Sequence, residues 1–272
     1  MLGRVGRGIQ ITDLGSGSAG NCTLIETPAT ALLIDAGLSA RQITHRLQAI
    51  GRDFADMDGI VLTHEHSDHT RALGVLCKAH SLAVFANRLT AEAVTDNADW
   101  NGNTRISWRL FPTGGSFEIG DLFVESFSVS HDAQDPVGFT IRHQETGLTI
   151  GVVTDLGHAT KLVTERIRIA DAVVVESNHD VKLLQDDPNR PWSLKQRIMS
   201  RHGHLSNDDA ATLIREIASS RLRHVCLAHL SRDCNRPELA RRAVTDKLRP
   251  LGADHITVTV SSQDTPTATL SL

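Results

Sequence analysis

Tyrosine is absent from this chain, and only 3 Trp and 7 Phe stand among its 272 residues. So few large rings argue against a surface that binds nucleic acid mainly by stacking bases on aromatic side chains. The chain also lacks any run approaching the ~18 apolar residues that a membrane-spanning helix needs. With 40% hydrophobic and 22% charged residues, the composition is that of an ordinary soluble globular protein.

Cysteine is scarce as well, and its placement bears on the compartment. Cys22, Cys77, Cys226 and Cys234 are widely separated and form no C-x-x-C pair. This pattern is typical of reduced thiols rather than of a disulfide framework. The first ten residues carry two arginines but no apolar core of a secretory signal. We therefore expect a cytoplasmic location.

The net charge is weakly negative, −4 from 28 Lys and Arg against 32 Asp and Glu, which excludes a histone-like or polybasic mode of binding. The distribution is uneven, because residues 186–250 hold 13 basic and 8 acidic side chains. Six basic residues of this segment could meet phosphates: Arg190, Lys195, Arg197, Arg201, Arg232 and Arg236. Trp192 is a candidate for stacking on one base, although a position in the core is the favoured interpretation.

Strand-like segments alternate with helix-like ones in both halves of the chain. Several are continuous β-branched runs, which are typical of strands buried on both faces. The predicted strands are Ile9–Leu14, Thr23–Glu26, Ala31–Asp35, Gly59–Thr63, Leu82–Phe85, Arg105–Phe111, Leu122–Ser130, Val137–Arg142, Leu148–Thr154, Ala172–Ser177, His224–Ala228 and His255–Val260. Helices are predicted after the caps Ser39, Thr160, Ser193 and Ser206, and from Asn235 or Pro237.

This order of elements predicts two β layers with helices outside each of them. The expected fold is therefore α/β, an αββα four-layer sandwich. No Pro- or Gly-rich linker of useful length divides the chain, so we expect a single domain over residues 1–272.

Gly15, Gly17 and Gly20 match the G-x-G-x-x-G fingerprint of dinucleotide sites. That fingerprint needs a following helix, because the helix N-terminus holds the pyrophosphate. Here two strands follow instead. We therefore expect a tight Gly/Ser loop beside an active site, with backbone N–H groups available to an anion.

The strongest signal is the motif H-x-H-x-D-H at residues 64–69, directly after a buried strand. Side chains two apart in extended chain share a face, so His64 and His66 can bind one ion, while Asp68 and His69 can turn toward a second. Imidazole and carboxylate ligands suit Zn²⁺, Mn²⁺ or Fe ions. Three more residues of ligand type follow later buried strands, where α/β folds collect functional groups: His131, Asp155 and His229.

Taken together, these motifs resemble the metallo-β-lactamase-fold hydrolases over essentially the whole chain. The resemblance implies two divalent metal ions per chain, Zn or Mn with Fe as a further candidate. It places His64, His66 and His131 on one ion. It places Asp68, His69 and His229 on the second ion, and the carboxylate of Asp155 between both.

Four sequence blocks narrow the resemblance: LGSGSAGNC, ESNHDVKLL, GHLSN and LAHLSRDCN. They are most similar to the small exonuclease-like group called YycJ or WalJ, whose members are thought to be DNA exonucleases that act from 5′ ends. The resemblance thus implies a nucleic acid substrate, DNA rather than RNA. It implies no β-CASP cap insertion, since only 23 residues lie between His131 and Asp155.

The mechanism implied by this resemblance is attack on a phosphodiester by a hydroxide that bridges the two ions. The expected catalytic residues are Asp68, His204 and His179, with one of the two imidazoles as general acid for the departing sugar oxygen. A structural interpretation stands beside each, because His179 can begin a helix and Ser206, next to His204, can cap one. Contacts to the substrate are expected from Ser18, Asn21, Asn178, Ser206 and Arg232.

Two other functions stay open at this point. The same centre could hydrolyse a small substrate, such as a cyclic phosphodiester, a lactone or a thioester. A lidded apolar pocket would favour a small substrate, whereas a shallow basic approach would favour a polymer. The third function is that of a metal-binding regulatory protein without turnover, against which the complete ligand set argues.

Overall fold

The structure is a computed structural model that describes residues 8–96 and 105–272. The first seven residues, on which most of the expectation about a secretory signal rests, lie outside the described residues. Within the described ranges, fourteen strands form two seven-stranded sheets.

The first sheet contains the first six strands and the last one. In spatial order it runs β14 (Leu270–Ser271), β1 (Gln10–Gly15), β2 (Cys22–Glu26), β3 (Ala31–Ile34), β4 (Gly59–Val61), β5 (Ala83–Ala86) and β6 (Ser107–Leu110). Pairing is antiparallel from β14 to β3 and parallel from β3 to β6.

The second sheet mirrors this arrangement. Its spatial order is β13 (Thr257–Val260), β12 (His224–Ala228), β11 (Ala172–Glu176), β10 (Thr149–Val153), β9 (Val137–His143), β8 (Leu122–Ser128) and β7 (Ser116–Ile119). Pairing is parallel from β13 to β10 and antiparallel from β10 to β7.

Helices cover the outer face of each sheet. Their bounds are α1 Ala40–Ala49, α2 Ser67–Thr70, α3 Leu73–Ala79, α4 Arg88–Asp96, α5 Lys161–Ile167, α6 Val181–Asp186, α7 Trp192–Ile198, α8 Asn207–Ile217 and α9 Pro237–Leu248, with short 3₁₀ helices at Phe54–Asp56 and Arg249–Leu251. In the part of the chain that the structure describes, no helix has the length and apolarity to cross a membrane.

Three apolar clusters lie between these layers. One joins α1, α3 and α4 to the first sheet, and another joins α5, α8 and α9 to the second sheet. The third lies between the two sheets, where Leu32 of β3 and Phe139 of β9 both contribute fully buried side chains. Strands such as β2 and β11 are buried at every residue because both of their faces are covered. The predicted αββα sandwich is confirmed.

The predicted elements agree with the structure in most places. All twelve predicted strands are present, with ends that differ by at most two residues. The strands β7 and β14 lack a counterpart in the sequence analysis because both are short edge strands with much exposed surface, so burial leaves no apolar pattern in them. The predicted caps Ser39, Thr160 and Ser206 each accept a hydrogen bond from the first turn of their helix.

The start of α7 was predicted wrongly. The helix begins at Trp192, before Ser193, and Pro191 is its N-cap. The fixed φ of proline sets the extended conformation that a cap needs without any side-chain hydrogen bond. Pro237 opens α9 as predicted, and Arg236 is the N-cap of that helix.

Gly37 connects this framework to the H-x-H-x-D-H segment. A Cβ atom at Gly37 would lie 1.5 Å from the carbonyl oxygen of Asp68, so the two backbones touch. The contact is fixed by hydrogen bonds, because the amide of Ala36 donates to the carbonyl of His69 and the amide of Asn21 donates to that of Asp68.

We predict that Gly37→Ala lowers the amount of metal bound, since the new methyl group must displace the backbone that carries Asp68 and His69. Metal content per chain and the melting temperature measure the two effects separately. Gly51→Ala is the matched control. Gly51 has a φ of +74° and open space around it, so alanine there costs about 1–2 kcal/mol of stability through backbone strain alone and leaves metal content unchanged. Equal metal content in both variants would contradict the prediction.

Candidate active site

The residues of the candidate site lie just beyond the C-terminal ends of strands in both sheets. His64 follows β4, Asp155 follows β10, His229 directly follows β12, and His131 comes three residues after β8. The carboxyl ends of parallel strands meet at one edge of a sheet. Stacking the two sheets brings both such edges together.

Three of the residues that follow strands have left-handed backbone conformations. The φ angles are 61° at Asp35, 56° at Asp155 and 55° at His229. Residues other than glycine rarely adopt this conformation, and each instance costs of order 1–3 kcal/mol. The strain is held by the surrounding structure: the amide of Asp35 donates to the carbonyl of Val61, and the amide of His229 donates to the Ser16 hydroxyl at 2.8 Å. Sharp backbone turns at three strand ends therefore position side chains of the site.

His64, His66 and His131 form one cluster of possible metal ligands, with ligand atoms all within 4.8 Å of one another. His64 Nε2 and His66 Nδ1 are 3.0 Å apart. The other nitrogens of two rings are occupied, because His64 Nδ1 lies 2.9 Å from the Thr63 hydroxyl and His131 Nδ1 donates to the carbonyl of Gly203 at 3.2 Å. These bonds leave Nε2 of His64 and of His131 for an ion.

Asp68, His69 and His229 form a second cluster of the same kind. Asp68 Oδ2 lies 3.8 Å from Nε2 of both imidazoles. The carboxylate of Asp155 reaches both clusters, since Oδ2 is 3.2 Å from His69 Nε2 and Oδ1 is 3.9 Å from His131 Nε2. The seven residues assigned to metal by the resemblance thus converge, and Asp155 has the position that a bridging ligand requires.

Asp35, which the sequence analysis does not assign, orients the second cluster. Its Oδ2 accepts hydrogen bonds from His69 Nδ1 at 2.8 Å and from the Thr63 hydroxyl at 2.9 Å. Since the Thr63 hydroxyl donates to Asp35, it accepts from His64 Nδ1, which leaves His64 Nε2 without a proton. Carboxylates that hold a ligating imidazole in this way fix its tautomer and raise its basicity.

Glu176 is the second unassigned carboxylate, and it is completely buried. Its Oε1 accepts hydrogen bonds from His229 Nδ1 at 2.7 Å and from His204 Nδ1 at 2.8 Å. Its Oε2 accepts from the backbone amides of Leu156 and Leu205, both at 3.0 Å. One carboxylate therefore fixes a candidate ligand, a candidate general acid and the loop that carries Asp155. The sequence signal for both acids is the same: each stands at the end of a buried strand, after ALLI and after AVVV.

The geometry of the clusters fits a pair of cations. Asp155 Oδ2 and His229 Nε2 are buried and lack a hydrogen bond within the described residues, and such atoms in a native structure require an explanation such as an ion. The separation of 3.0 Å between His64 Nε2 and His66 Nδ1 is close to the ~3.4 Å expected for two nitrogens ~2.1 Å from one tetrahedral ion.

The charge balance points the same way. Four carboxylates surround the clusters, and among the described residues their ion-pair partners are all imidazoles: Asp35, Asp68, Asp155 and Glu176. Burial by itself would raise the pKa of Glu176, yet the charge and hydrogen bonds of His204 and His229 lower it to about 2. Burial would lower the pKa of His229, but Asp155, Asp68 and Glu176 raise it to about 10. An environment that attracts protons so strongly equally attracts divalent cations.

The two candidate general acids occupy different places. The ring of His204 is centred 5.2 Å from that of His131 and 5.1 Å from that of His229, and its side chain is 22% exposed. His179 is buried, and its Nδ1 lacks a hydrogen-bond partner in the described part of the chain. Burial lowers the pKa of His179 to about 4, while the charge of Glu176 overcomes burial and raises the pKa of His204. Of the two imidazoles, His204 is therefore the one whose ring lies beside the ligand clusters and whose pKa is raised rather than lowered.

The residues expected to contact substrate divide into two sets. Ser18 and Asn178 line a cavity of about 260 Å³ that also includes His204. Asn21 and Ser206 are buried and have structural partners, since Asn21 Nδ2 lies 3.0 Å from His69 Nε2 and Ser206 caps α8. Arg232 is exposed and pairs with Asp264 at 2.9 Å.

Several basic side chains of residues 186–250 are already ion-paired or buried. Arg190 pairs with Asp187 and Asp233, and Arg197 pairs with Asp132. Lys195 is buried and donates to the carbonyl of Gln185 at 2.6 Å, so the expected phosphate contact of Lys195 is wrong. The favoured core position of Trp192 is also wrong, because this side chain is 58% exposed at the start of α7.

Comparisons with known proteins bear on the family of this chain. A family profile described as "Beta-lactamase superfamily domain" matches residues 30–229. The chain is 38% identical over 246 residues to "Exodeoxyribonuclease YycJ" of Bacillus anthracis, with 90% of this chain and 91% of the relative covered. It is 37% identical over 242 residues to "Exodeoxyribonuclease WalJ" of Streptococcus pneumoniae serotype 2, with 89% and 88% covered.

A solved structure shows the same fold. The metallo-β-lactamase fold protein YhfI from Bacillus subtilis aligns with a TM-score of 0.73 at 14% identity, over 97% of this chain and all of that one. At this identity the likeness concerns the fold alone, whereas the sequence relatives extend over nearly the whole chain. By its profile, its relatives and its converging ligands, the chain belongs to the metallo-β-lactamase superfamily, as a metal-dependent hydrolase of the YycJ and WalJ group.

Proposed function

We propose that this centre hydrolyses phosphodiester bonds of DNA and removes nucleotides from the 5′ end. The observation that carries the proposal is the contact between Glu176 and His204, which raises the pKa of an imidazole that can donate a proton beside the ligand clusters. A leaving alkoxide needs such a proton, whereas a site that only stores metal does not need one. The names of the two relatives, both exodeoxyribonucleases, support DNA as the substrate.

Two divalent ions, Zn²⁺ or Mn²⁺, held by the seven ligand residues would supply a water of lowered pKa and neutralise phosphate charge. Asp68 is the carboxylate of the centre with an exposed edge, at 23% of its side chain, so it can accept a hydrogen bond from the attacking water. His204 donates its Nε2 proton to the departing 3′ oxygen, because its Nδ1 is committed to Glu176. Glu176 orients that ring and raises its pKa.

End-labelled single- and double-stranded DNA and RNA, incubated with Mn²⁺, Zn²⁺ and Mg²⁺ in turn, test this function. We expect release of mononucleotides from 5′-labelled DNA. Asp68→Ala should abolish that release and also the hydrolysis of bis-p-nitrophenyl phosphate. Inertness of all four nucleic acids with retained hydrolysis of the small ester would favour a small substrate instead. Inertness toward every substrate would favour a metal-binding protein without turnover.

Replacing the general acid should separate chemistry from metal binding. We predict that His204→Ala lowers kcat on DNA by about 10²–10⁴-fold, the usual worth of general acid catalysis, with the metal content unchanged. His202→Ala is the matched control, since His202 is exposed in the same loop and its loss should leave kcat unaltered. Loss of metal from His204→Ala would instead make His204 a ligand.

The role of Glu176 can be read from a pH profile. The charge of Glu176 raises the pKa of His204, and His204 must be protonated to act, so kcat falls as the pH rises through this pKa. In Glu176→Gln we predict that the alkaline limb of the kcat profile moves to lower pH, with the profile measured on metal-loaded protein. An unmoved alkaline limb would show that the titrating group is not His204.

A further inference from the structure

The cavity beside His204 adjoins the ligand clusters, but its lining includes none of the seven residues assigned to metal. Its volume is about 260 Å³, just below the ~300–1,000 Å³ of sites for larger ligands. Asn178 and Gly203 of its lining are buried, whereas Ser18 and Leu194 are exposed. It is therefore a recess with room for one small chemical unit.

The chemistry of the proposed phosphodiesterase decides which unit that is. In the reaction a water oxygen bonds to phosphorus, the bond from phosphorus to the 3′ oxygen breaks, and the proton of His204 goes to that 3′ oxygen. The fragment that departs carries the new 3′ hydroxyl, while the other fragment keeps the phosphate on its 5′ carbon. Because His204 borders the recess, the departing fragment lies in it.

We propose that this recess binds the 5′-terminal nucleoside of the strand and thereby fixes the size of the step at one nucleotide. The inference rests on the proposed phosphodiesterase activity. A recess of this volume accepts one departing nucleoside, which is the unit released when hydrolysis begins at a 5′ end. Cleavage from a 3′ end would instead make the long remainder of the strand the departing fragment, and only its last nucleoside could lie in the recess.

The walls of the recess suit a nucleoside. Leu194 and Ile198 are one turn apart on α7 and give an apolar wall for the sugar and base. Ser18, Asn178 and Ser231 give polar groups to the same recess. This pairing of an apolar surface with a few polar groups is typical of small-molecule sites.

The charges of the recess favour the nucleoside part over an additional phosphate. Arg190 and Arg197 also line the recess, but both guanidinium groups are already ion-paired. Their partners are three carboxylates: Asp132, Asp187 and Asp233. Two positive and three negative charges leave no surplus of positive charge, so a terminal 5′ phosphate gains little there.

Leu194→Trp tests the proposal, because the larger side chain occupies the recess. We expect kcat/KM for 5′-ended DNA to fall by about 10²-fold, the scale of a displaced reacting group, with metal content and melting temperature unchanged. Leu162→Trp is the matched control, since Leu162 is similarly exposed at 44% on α5, and it should keep full activity. If the tryptophan variant fails to fold, Leu194→Ala is measured instead. This variant leaves the recess open and should retain mononucleotide release.

Product analysis and binding give independent readouts. Wild-type protein should release thymidine itself, with a free 3′ hydroxyl, from DNA that begins with an unphosphorylated thymidine, at a rate close to that of the 5′-phosphorylated strand. Dinucleotides as the first product, or full activity of Leu194→Trp, would overturn the inference and leave the phosphodiesterase standing.

The binding of thymidine to Asp68→Ala protein, measured by calorimetry, does not depend on turnover. If this binding disappears in the double variant Asp68→Ala with Leu194→Trp, the result would support nucleoside binding in the recess, even if the protein proved inactive on DNA. Absence of thymidine binding by Asp68→Ala protein would overturn the inference.

Discussion

The buried concentration of negative charge at the junction of the two sheets is the constraint on which this molecule depends. Asp155 and Glu176 are almost or wholly inaccessible to solvent, and Asp35 is 3% exposed. Carboxylates in such surroundings are expensive unless each has partners of opposite charge. Their ion-pair partners in the described residues are imidazoles, which can hold either protons or metal ions. The surrounding strand ends fix the positions of these side chains, and the negative charge of the carboxylates attracts cations.

Glu176 connects this buried negative charge with the proposed proton transfer. Its four hydrogen bonds connect a candidate ligand, the candidate general acid and two backbone amides of neighbouring loops. Any shift of this carboxylate would therefore move metal binding and proton transfer together. The left-handed turn at Asp155 serves the same end, because its strain is tolerated only where the surrounding contacts over-determine the backbone.

In the proposed mechanism, the recess beside His204 connects this centre with the nucleic acid. Helix α7 gives it an apolar wall, and the Gly/Ser loop after β1 contributes Ser18 on another side. The same loop also contacts the centre directly, since the Ser16 hydroxyl accepts a hydrogen bond from the amide of His229. The glycines that resemble a dinucleotide fingerprint thus serve a hydrolytic site, because a strand follows them where a dinucleotide site needs a helix.

The sequence by itself determined the strands, the two-layer architecture and the H-x-H-x-D-H cluster of candidate ligands, because β-branched runs and closely spaced imidazoles are visible in short stretches of sequence. Tertiary structure alone decided that Asp35 and Glu176 orient the imidazoles, that His204 rather than His179 lies at the centre, and that Trp192 is exposed. It also paired Arg190 with Asp233 and Arg197 with Asp132, carboxylates that lie 43 and 65 residues away in the chain. The physical reason is that burial and ion pairing depend on residues far apart in the chain, whose proximity is created only when the two sheets stack.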